Sequence, residues 1–280
     1  MENMIESEVP KGPNYTRVYN LLRDWGMRAC THSFMAYQLT WIQTLVLGAL
    51  VAAAVAFPFV KKDYETFLKG GPSYAPQNVR GYIIVLVLAL FRQEQLGLEI
   101  YDRMPEKRRW LADLAQREGP RPKTTSHIIQ RQLSQHTDPA FGAACLKDTV
   151  IPRVQARHAA NTHIARSTFE FHAAAIFLNA DVPLPEGLPA SETVRRTKGE
   201  IAHMHDYHDF TLHLALAAAD GREVVGKGWG QRHPLAGPGV PGPPNEWTFV
   251  YAPRNEEEMG VVEQIVEAAI GYMSNAPALE

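Results

Sequence analysis

The chain has 280 residues, and its 28 Lys and Arg against 30 Asp and Glu give a formal net charge of −2. This balance provides no strongly basic surface of the kind that nucleic-acid-binding proteins use, so we predict no nucleic-acid partner. The two cysteines, Cys30 and Cys145, are too few for a disulfide scaffold or a cysteine-rich metal site.

An uncharged apolar segment lies near the amino terminus. Residues 41–60 contain no Asp, Glu, Lys or Arg, and about 20 helical residues extend about 30 Å, the thickness of the bilayer hydrocarbon. We predict a polar, loosely ordered arm over 1–40, one transmembrane helix over 41–60 and one compact domain over 61–280. A buried core helix and a cleaved signal peptide are the alternatives for the apolar segment.

Basic residues predict the orientation of this helix. Lys61, Lys62 and Lys69 follow the apolar segment, whereas only Arg28 lies shortly before it. The positive-inside rule therefore places the carboxyl-terminal domain in the cytosol. We expect a single-pass protein of the endoplasmic reticulum or microsomal membrane.

The middle of the chain is less clearly patterned. Residues 82–91 form a second apolar run that is too short to span a bilayer, and it could be a buried helix, a strand or a segment on the membrane surface. We expect helix over 92–110, a short helix over 146–158 that is interrupted near Pro152, and a strand over 168–178.

The last third of the chain shows the clearest periodicity. We predict, in order, a hairpin of strands 200–206 and 210–216, a helix over 217–227, a Pro/Gly loop over 230–244, a strand over 246–252 and a helix that is capped by Asn255 and continues to Met273. This order indicates an α+β class. The predicted architecture is a single amino-terminal transmembrane helix followed by one compact α+β domain.

Histidines are concentrated in the predicted hairpin and the loop after it. Side chains alternate along a strand, so His203 and His205 share one face, and pairing in the hairpin could place His213 beside them. Asp206 and Asp209 lie at the turn. Five of the eleven histidines belong to this group: His203, His205, His208, His213 and His233.

Three interpretations of these histidines compete. A His-x-His strand with a third histidine suits zinc or non-haem iron, although no carboxylate stands at the expected ligand position. Alternatively, an imidazole that is oriented by a carboxylate removes a proton from the substrate. The histidines could also be purely structural. We favour acid–base chemistry and predict no metal.

Aromatic and basic side chains near the histidines could hold a flat, anionic substrate. Trp229 could stack on it and Arg232 could face an enolate or phenolate, although Trp229 could equally anchor its loop to the core. Arg254, close to Tyr251, could clamp the substrate or pair with the glutamates that follow it.

Five segments resemble the fungal luciferases of the 3-hydroxyhispidin pathway. They are 71–85 (GPSYAPQNVRGYIIV), 106–114 (EKRRWLADL), 200–209 (EIAHMHDYHD), 227–244 (KGWGQRHPLAGPGVPGPP) and 247–258 (WTFVYAPRNEEE). The resemblance covers roughly residues 50–275. It implies a membrane-bound luciferase that oxidises 3-hydroxyhispidin with O₂. An endoperoxide forms and loses CO₂, which leaves excited caffeylpyruvic acid that emits green light.

The resemblance also implies that no metal, flavin or nucleotide cofactor takes part, with O₂ as co-substrate. The expected partners are the luciferin, O₂ and a lipid membrane bound through residues 41–60. A metal-dependent oxygenase using the histidine hairpin and a non-catalytic, membrane-tethered luciferase-like binding protein are the alternatives.

Without a cofactor, the substrate itself must supply electrons to triplet O₂, so a base must first convert it to an electron-rich anion. We assign roles from residue type and spacing, not from the resemblance. His203 or His205 is the base, Asp206 or Asp209 orients it, and Arg232 and His233 face the oxyanion. The predicted substrate contacts are Trp229, Tyr251, Arg254, His208 and His213.

Overall fold

The fold is known from a computed structural model, which describes residues 15–71, 73–125, 127–144, 150–184, 187–205, 209–237 and 242–279. The chain divides into two compact units, Met1–Lys62 and Asp63–Glu280. The helices are α1 (Tyr15–Lys69), α2 (Val79–Ala89), α3 (Glu99–Arg103), α4 (Pro139–Gly142), α5 (Ile151–Arg157), α6 (Pro189–Thr197), α7 (Ala218–Gly226) and α8 (Glu256–Met273). The strands are β1 (Thr162–Arg166), β2 (Ala174–Leu178), β3 (Glu200–Met204), β4 (Leu212–Ala215), β5 (Gly230–Arg232) and β6 (Trp247–Val250).

Helix α1 begins earlier than the sequence predicts. Residues 15–40 are helical and not loosely ordered, because the helix-breaking Pro10, Gly12 and Pro13 all precede Tyr15. Among the described residues, one helical segment, Thr40–Lys69, is apolar and long enough to cross a membrane. Its mean hydropathy is 2.0, and none of its most apolar 18-residue window is buried in the protein. It extends beyond the predicted 41–60.

The second unit combines helices with one six-stranded antiparallel sheet, which confirms the α+β class. The strand order is β1-β2-β3-β4-β6-β5. Helix α8 packs on β3 and β4, and its apolar residues Val262, Val266 and Ile270 are fully buried. Asn255 begins this helix as predicted, because its side chain accepts a hydrogen bond from the Glu258 backbone N–H.

The two faces of the sheet differ in character. Leu212 and Leu214 of β4 belong to the same apolar cluster as α8. His213 lies between these two leucines, so alternation points it to the opposite face. Phe249 of β6 is its register partner and shares that face. The sequence therefore places aliphatic side chains under α8 and aromatic and imidazole side chains on the other side.

Several predicted elements in the middle of the chain are wrong or shorter. Residues 92–110 contain only the five-residue α3, because Met104 is extended before Pro105. Pro152 does not interrupt α5 but occupies its first turn, where no N–H is needed. Only the end of 168–178 is a strand, because the Ala173 N–H donates to the Glu170 carbonyl and forms a turn.

Candidate functional site

The predicted histidine hairpin is present. His203 of β3 and His213 of β4 are direct register partners, with ring centroids 5.2 Å apart. The His205 ring lies 4.9 Å from that of His213. His233, which follows β5, lies 5.2 Å from His213 on its other side. Pairing of the strands thus brings together four imidazoles from three segments of the sequence.

A bulge in β3 supplies the carboxylate partner of His203. The register of β2 and β3 shifts by one residue at Ile201, between the pairs Ile176–Ala202 and Phe177–Glu200. Side-chain alternation is therefore offset, and Glu200 reaches the face of His203. Its Oε1 lies 2.7 Å from His203 Nδ1, and both side chains are completely buried.

Glu200 is a carboxylate held by hydrogen bonds. Its oxygens accept bonds from Ser167 Oγ and from the backbone N–H and the hydroxyl of Thr168, each at 2.7 Å. Burial raises the pKa of Glu200, but hydrogen bonds from His203, Ser167 and Thr168 outweigh this effect and lower the pKa below its usual value. An ionised Glu200 favours a proton on His203 Nδ1 and leaves Nε2 as the basic atom.

His205 lies in a second hydrogen-bonded group. Its Nδ1 is 2.8 Å from Thr211 Oγ1, which donates to Asp209 Oδ2 at 3.0 Å. Arg131 Nη1 lies 3.1 Å from His205 Nε2, and the Arg131 guanidinium pairs with Glu170 at 3.4 Å. Asp209 is thus close to His205, as predicted, although Thr211 makes the direct bond.

An apolar cavity of about 290 Å³ lies against the histidines. This volume lies just below the range of about 300–1,000 Å³ that is typical of small-molecule sites. Its walls are mostly aliphatic and aromatic: Leu88, Ile128, Ile129, Leu235, Phe169, Trp247, Gly242 and Pro243. The remaining lining residues are polar: Tyr74, Gln130, Glu170, His203, His213 and His233.

Four polar atoms on the lining residues have no hydrogen-bond partner among the described residues. They are Tyr74 Oη, Gln130 Oε1, His203 Nε2 and His213 Nε2, each buried within the described part of the chain. Buried polar groups in folded proteins are almost always satisfied, so unsatisfied groups around one cavity need an explanation. A ligand with matching polar atoms at its edges would satisfy them.

Burial keeps the other imidazoles neutral. The pKa values of His205 and His213 are well below the usual value, through burial first and then through Arg131 for His205 and through His205 for His213. Burial, with a smaller contribution from His203, lowers the pKa of His233 to about 3. These rings are therefore uncharged at neutral pH.

The same histidines could hold a metal ion. One nitrogen from each of His203, His205 and His213 lies within 4.8 Å of the others. Neutral imidazoles and a carboxylate behind His203 are features of such sites. Against this, the cationic Arg131 lies 3.1 Å from His205 Nε2 and would repel a cation. The residues fit a metal in number and type, and only the position of Arg131 opposes it.

The structure does not bring every predicted residue to the cavity. Arg232 points away from the histidine face, because alternation in β5 separates it from Gln231 and His233. Its guanidinium donates to the Glu94 and Ala236 carbonyls at 2.9 and 2.8 Å. The prediction that Arg232 faces an oxyanion is therefore wrong.

The predicted aromatic and arginine contacts also lie outside the cavity lining. Trp229 donates to the Ala115 carbonyl at 2.8 Å and is part of the core, so it anchors its loop. The Tyr251 hydroxyl donates to Gln231 Oε1 at 2.9 Å. Arg254 pairs with Glu258, the structural alternative that the sequence left open. Asp206 and His208 lie outside the described residues.

Sequence reasoning missed several residues of the site. Trp247 and Phe169 provide the aromatic wall, and Glu200 provides the carboxylate. Trp247 shares a sheet face with Phe249 and His213. Alternation along the predicted strand 246–252 already places Trp247 and Phe249 on the same face. Glu200 could not be found in this way, since strict alternation places it on the opposite face.

Comparisons with known proteins identify the family. The luciferase domain model matches residues 198–269, which include β3, β4 and most of α8. A luciferase of Armillaria gallica is 73% identical over 230 residues, which cover 81% of this chain and 86% of that protein. The chain belongs to the fungal luciferase family. A luciferase of Neonothopanus nambi is 69% identical over 236 residues, 84% of this chain and 88% of its own length. No solved structure matches the chain.

Membership confirms the resemblance drawn from the sequence. Luciferases of Armillaria gallica, Armillaria ostoyae and Neonothopanus nambi each cover more than four fifths of this chain. The histidine hairpin lies within the region that matches the luciferase domain. His233, Trp247 and Phe249 lie there as well, whereas Tyr74, Arg131 and Glu170 come from earlier in the chain.

Proposed function

We propose that this chain is a luciferase that oxidises 3-hydroxyhispidin with O₂ to caffeylpyruvic acid, CO₂ and green light. The reaction balances with no other reactant, since one luciferin and one O₂ give one acid and one CO₂. The observation that carries the proposal is the apolar cavity, whose lining residues include four polar atoms without a hydrogen-bond partner in the described part of the chain. A flat aromatic molecule with hydroxyl and carbonyl groups at its edges fits that pattern.

His203 is the proposed base. His203 lines the cavity, its Nε2 has no hydrogen-bond partner within the described protein, and its Nδ1 is held by Glu200. Removal of an enol proton by Nε2 gives an electron-rich anion, and Glu200 stabilises the imidazolium that forms. His205 does not line the cavity, so it supports His213 and Arg131 and does not contact the substrate.

The anion reacts with O₂ to give the endoperoxide. The aliphatic walls exclude water from this intermediate and from the excited product. Tyr74 lines the cavity, and its hydroxyl, which has no partner among the described residues, can donate to a substrate oxygen. Burial is the main cause that raises the pKa of Tyr74, and the neighbouring Glu170 carboxylate adds to it, so the hydroxyl stays protonated. The proposed reaction uses no metal, flavin or nucleotide.

The proposed location is a membrane. The apolar part of helix segment Thr40–Lys69 would cross the endoplasmic reticulum or microsomal membrane once, with the second unit on the cytosolic side. Lys61 and Lys62 near the end of the apolar residues support this orientation. Protease added to sealed microsomes should digest the second unit. Protection of the second unit inside intact vesicles would show that the orientation is the opposite one.

Light emission and O₂ uptake test the reaction. We would add 3-hydroxyhispidin in air to membranes from cells that express the full chain. We expect green light, uptake of one O₂ and release of one CO₂ per luciferin consumed. Folded chain that binds the luciferin without O₂ uptake would support the non-catalytic binding protein and contradict the enzyme.

A metal-dependent oxygenase is the second candidate, favoured by the convergence of His203, His205 and His213. Purified chain in detergent would then contain about one iron, zinc or other transition metal ion, and a chelator would abolish the light. We expect the cofactor-free result, in which the metal content is negligible and EDTA leaves the light unchanged. Light that is lost with EDTA and restored by one metal would make the three histidines ligands.

A further inference from the structure

Helix α2 is apolar on both of its sides. Its inner residues Tyr82 and Val85 are buried and pack in one cluster with Phe67 and Ile128. Its outer residues, together with Leu90 at its C-cap, form a second apolar stripe at the spacing i, i+3, i+4, i+7, which is one face of a helix. These residues and their exposed fractions are Ile83 (53%), Leu86 (43%), Val87 (51%) and Leu90 (82%).

This outer stripe is unusual for a helix that faces water. Surface helices of globular proteins are polar on the side away from the core, whereas helices that are apolar all round lie in a core or in a membrane. The stripe residues lie in the segment 82–91, which contains no charged residue. Exposed Arg80 and Arg92 bracket this segment, as basic residues do at the edge of a bilayer.

The stripe lies close in sequence to the candidate membrane span. That span ends at Lys69, and nine residues separate it from Val79, the first residue of α2. Tyr64 and Phe67, from the last turns of α1, pack in the same cluster as the inner face of α2. The end of the span and the helix α2 are therefore parts of one packed group within the second unit.

We propose that α2 is an interfacial helix whose outer stripe inserts into the acyl region of the bilayer. At 1.5 Å per residue its 11 residues extend about 16 Å, so it cannot cross a bilayer and must lie along its surface. Its partner is the lipid itself, since the span that precedes it already holds the chain at the membrane. The inference rests on the proposed membrane attachment and not on the proposed reaction.

The position of α2 has a consequence for the cavity. Leu88, from the same helix, lines the cavity wall, so α2 stands between the cavity and the lipid. A sparingly soluble aromatic substrate that dissolves in the bilayer would then reach the site along α2, where its local concentration is highest.

Photolabelling tests the lipid contact directly. The full chain is reconstituted into vesicles of phosphatidylcholine and phosphatidylserine that contain a lipid with a diazirine in its acyl chain. After illumination, mass spectrometry should find adducts on the stripe as well as on the span. Ile164, an apolar residue of β1 that is 43% exposed, is the internal control and should remain unlabelled. Adducts on the span alone would overturn the proposal.

Paired variants sharpen the result. The double variant Leu86→Glu and Leu90→Glu should lower labelling of α2 at least five-fold and leave labelling of the span unchanged, whereas Ile164→Glu should change neither. In detergent the double variant should emit light as the parent does. In vesicles its apparent KM for luciferin should rise. Unchanged labelling of α2 in the double variant, or crosslinks between α2 helices of two chains, would contradict a lipid partner.

Two outcomes distinguish the interfacial helix from the proposed membrane attachment and from the proposed luciferase reaction. A chain that alkaline carbonate extracts from membranes would overturn both the attachment and the interfacial helix, with light emission unaffected. A chain that is labelled on α2 but emits no light would uphold the interfacial helix and contradict the luciferase reaction.

Discussion

At the scale of single residues, His203 is the side chain on which the proposed reaction depends most. His203→Gln removes the basic nitrogen but keeps a polar side chain, so kcat should fall about 10²–10⁴-fold, the range of general-base catalysis. Light emission per mole of protein measures it. His163→Gln is the control, because His163 is exposed on β1 and bonds only Asn179 in the described structure. Equal light from both variants would contradict the assignment.

The lowered pKa of His233 predicts how the free energy of unfolding depends on pH. Its folded pKa of about 3 is below the unfolded value of 6.5, so between these values the unfolded chain binds more protons. The free energy of unfolding should therefore be largest above pH 6.5 and fall as the pH is lowered toward 3. His205 and His213 act in the same direction, whereas Asp209, whose pKa is raised mainly by burial, opposes them.

The variant His233→Asn isolates this contribution. An Asn carbonyl can accept the Leu235 N–H, which His233 Nδ1 accepts at 3.1 Å, but the amide cannot titrate. Between pH 7 and pH 5 the variant should lose less stability than the parent, by roughly 1–2 kcal/mol. Denaturant unfolding at the two pH values measures the difference. Identical pH slopes would show that His233 does not carry a lowered pKa.

At the scale of elements, α8 contains a matched pair of glycines. A Cβ on Gly260 meets no atom within 4 Å, whereas a Cβ on Gly271 would lie 2.6 Å from Trp110 Cδ1. Gly260→Ala should stabilise the protein by about 1 kcal/mol through helix propensity. Gly271→Ala should destabilise it by about 1–3 kcal/mol through overpacking. Thermal unfolding in detergent measures both, and a shift of the same sign in the two variants would refute the packing at Trp110.

Elements that express a local pattern were predicted well from the sequence. The hairpin, α7, β6 and α8 all carry their own periodicity, and α8 also has its own cap, so the histidine pairing followed from strand alternation alone. β1 was missed, because four of its five residues are exposed and no alternation marks it. The short α6 was also missed, since Pro189 at its start makes the segment look like a connector.

The part of the site that escaped prediction depends on tertiary packing. Arg131 and Glu170 reach His205 from turns that are distant in the sequence. Glu200 depends on a bulge of one residue, which no periodicity reveals. The prediction that Arg232 faces an oxyanion failed for a different reason. Its residue type suited an oxyanion, but the short strand β5, which was predicted as loop, turns its side chain away.

At the scale of the whole molecule, the second unit contains its own core. All three apolar clusters are built from residues between Tyr64 and Met273. A chain that begins at Asp63 should therefore unfold cooperatively in detergent, with a Tm within a few degrees of the full chain. Without detergent it should aggregate, because the outer stripe of α2 stays exposed. Loss of a cooperative transition would mean that residues 1–62 contribute to the core.

The aliphatic cavity wall has a consequence for colour. In the proposed reaction the excited product relaxes among Leu88, Ile128, Ile129 and Leu235, which carry no dipoles that could reorient around it. Polar, mobile surroundings lower the energy of a charge-separated excited state, and these aliphatic side chains do not provide that stabilisation. Emission should therefore lie at shorter wavelength than from the same compound in water. Leu88→Gln should shift the emission spectrum toward longer wavelength, because the cavity wall is the medium that surrounds the excited product.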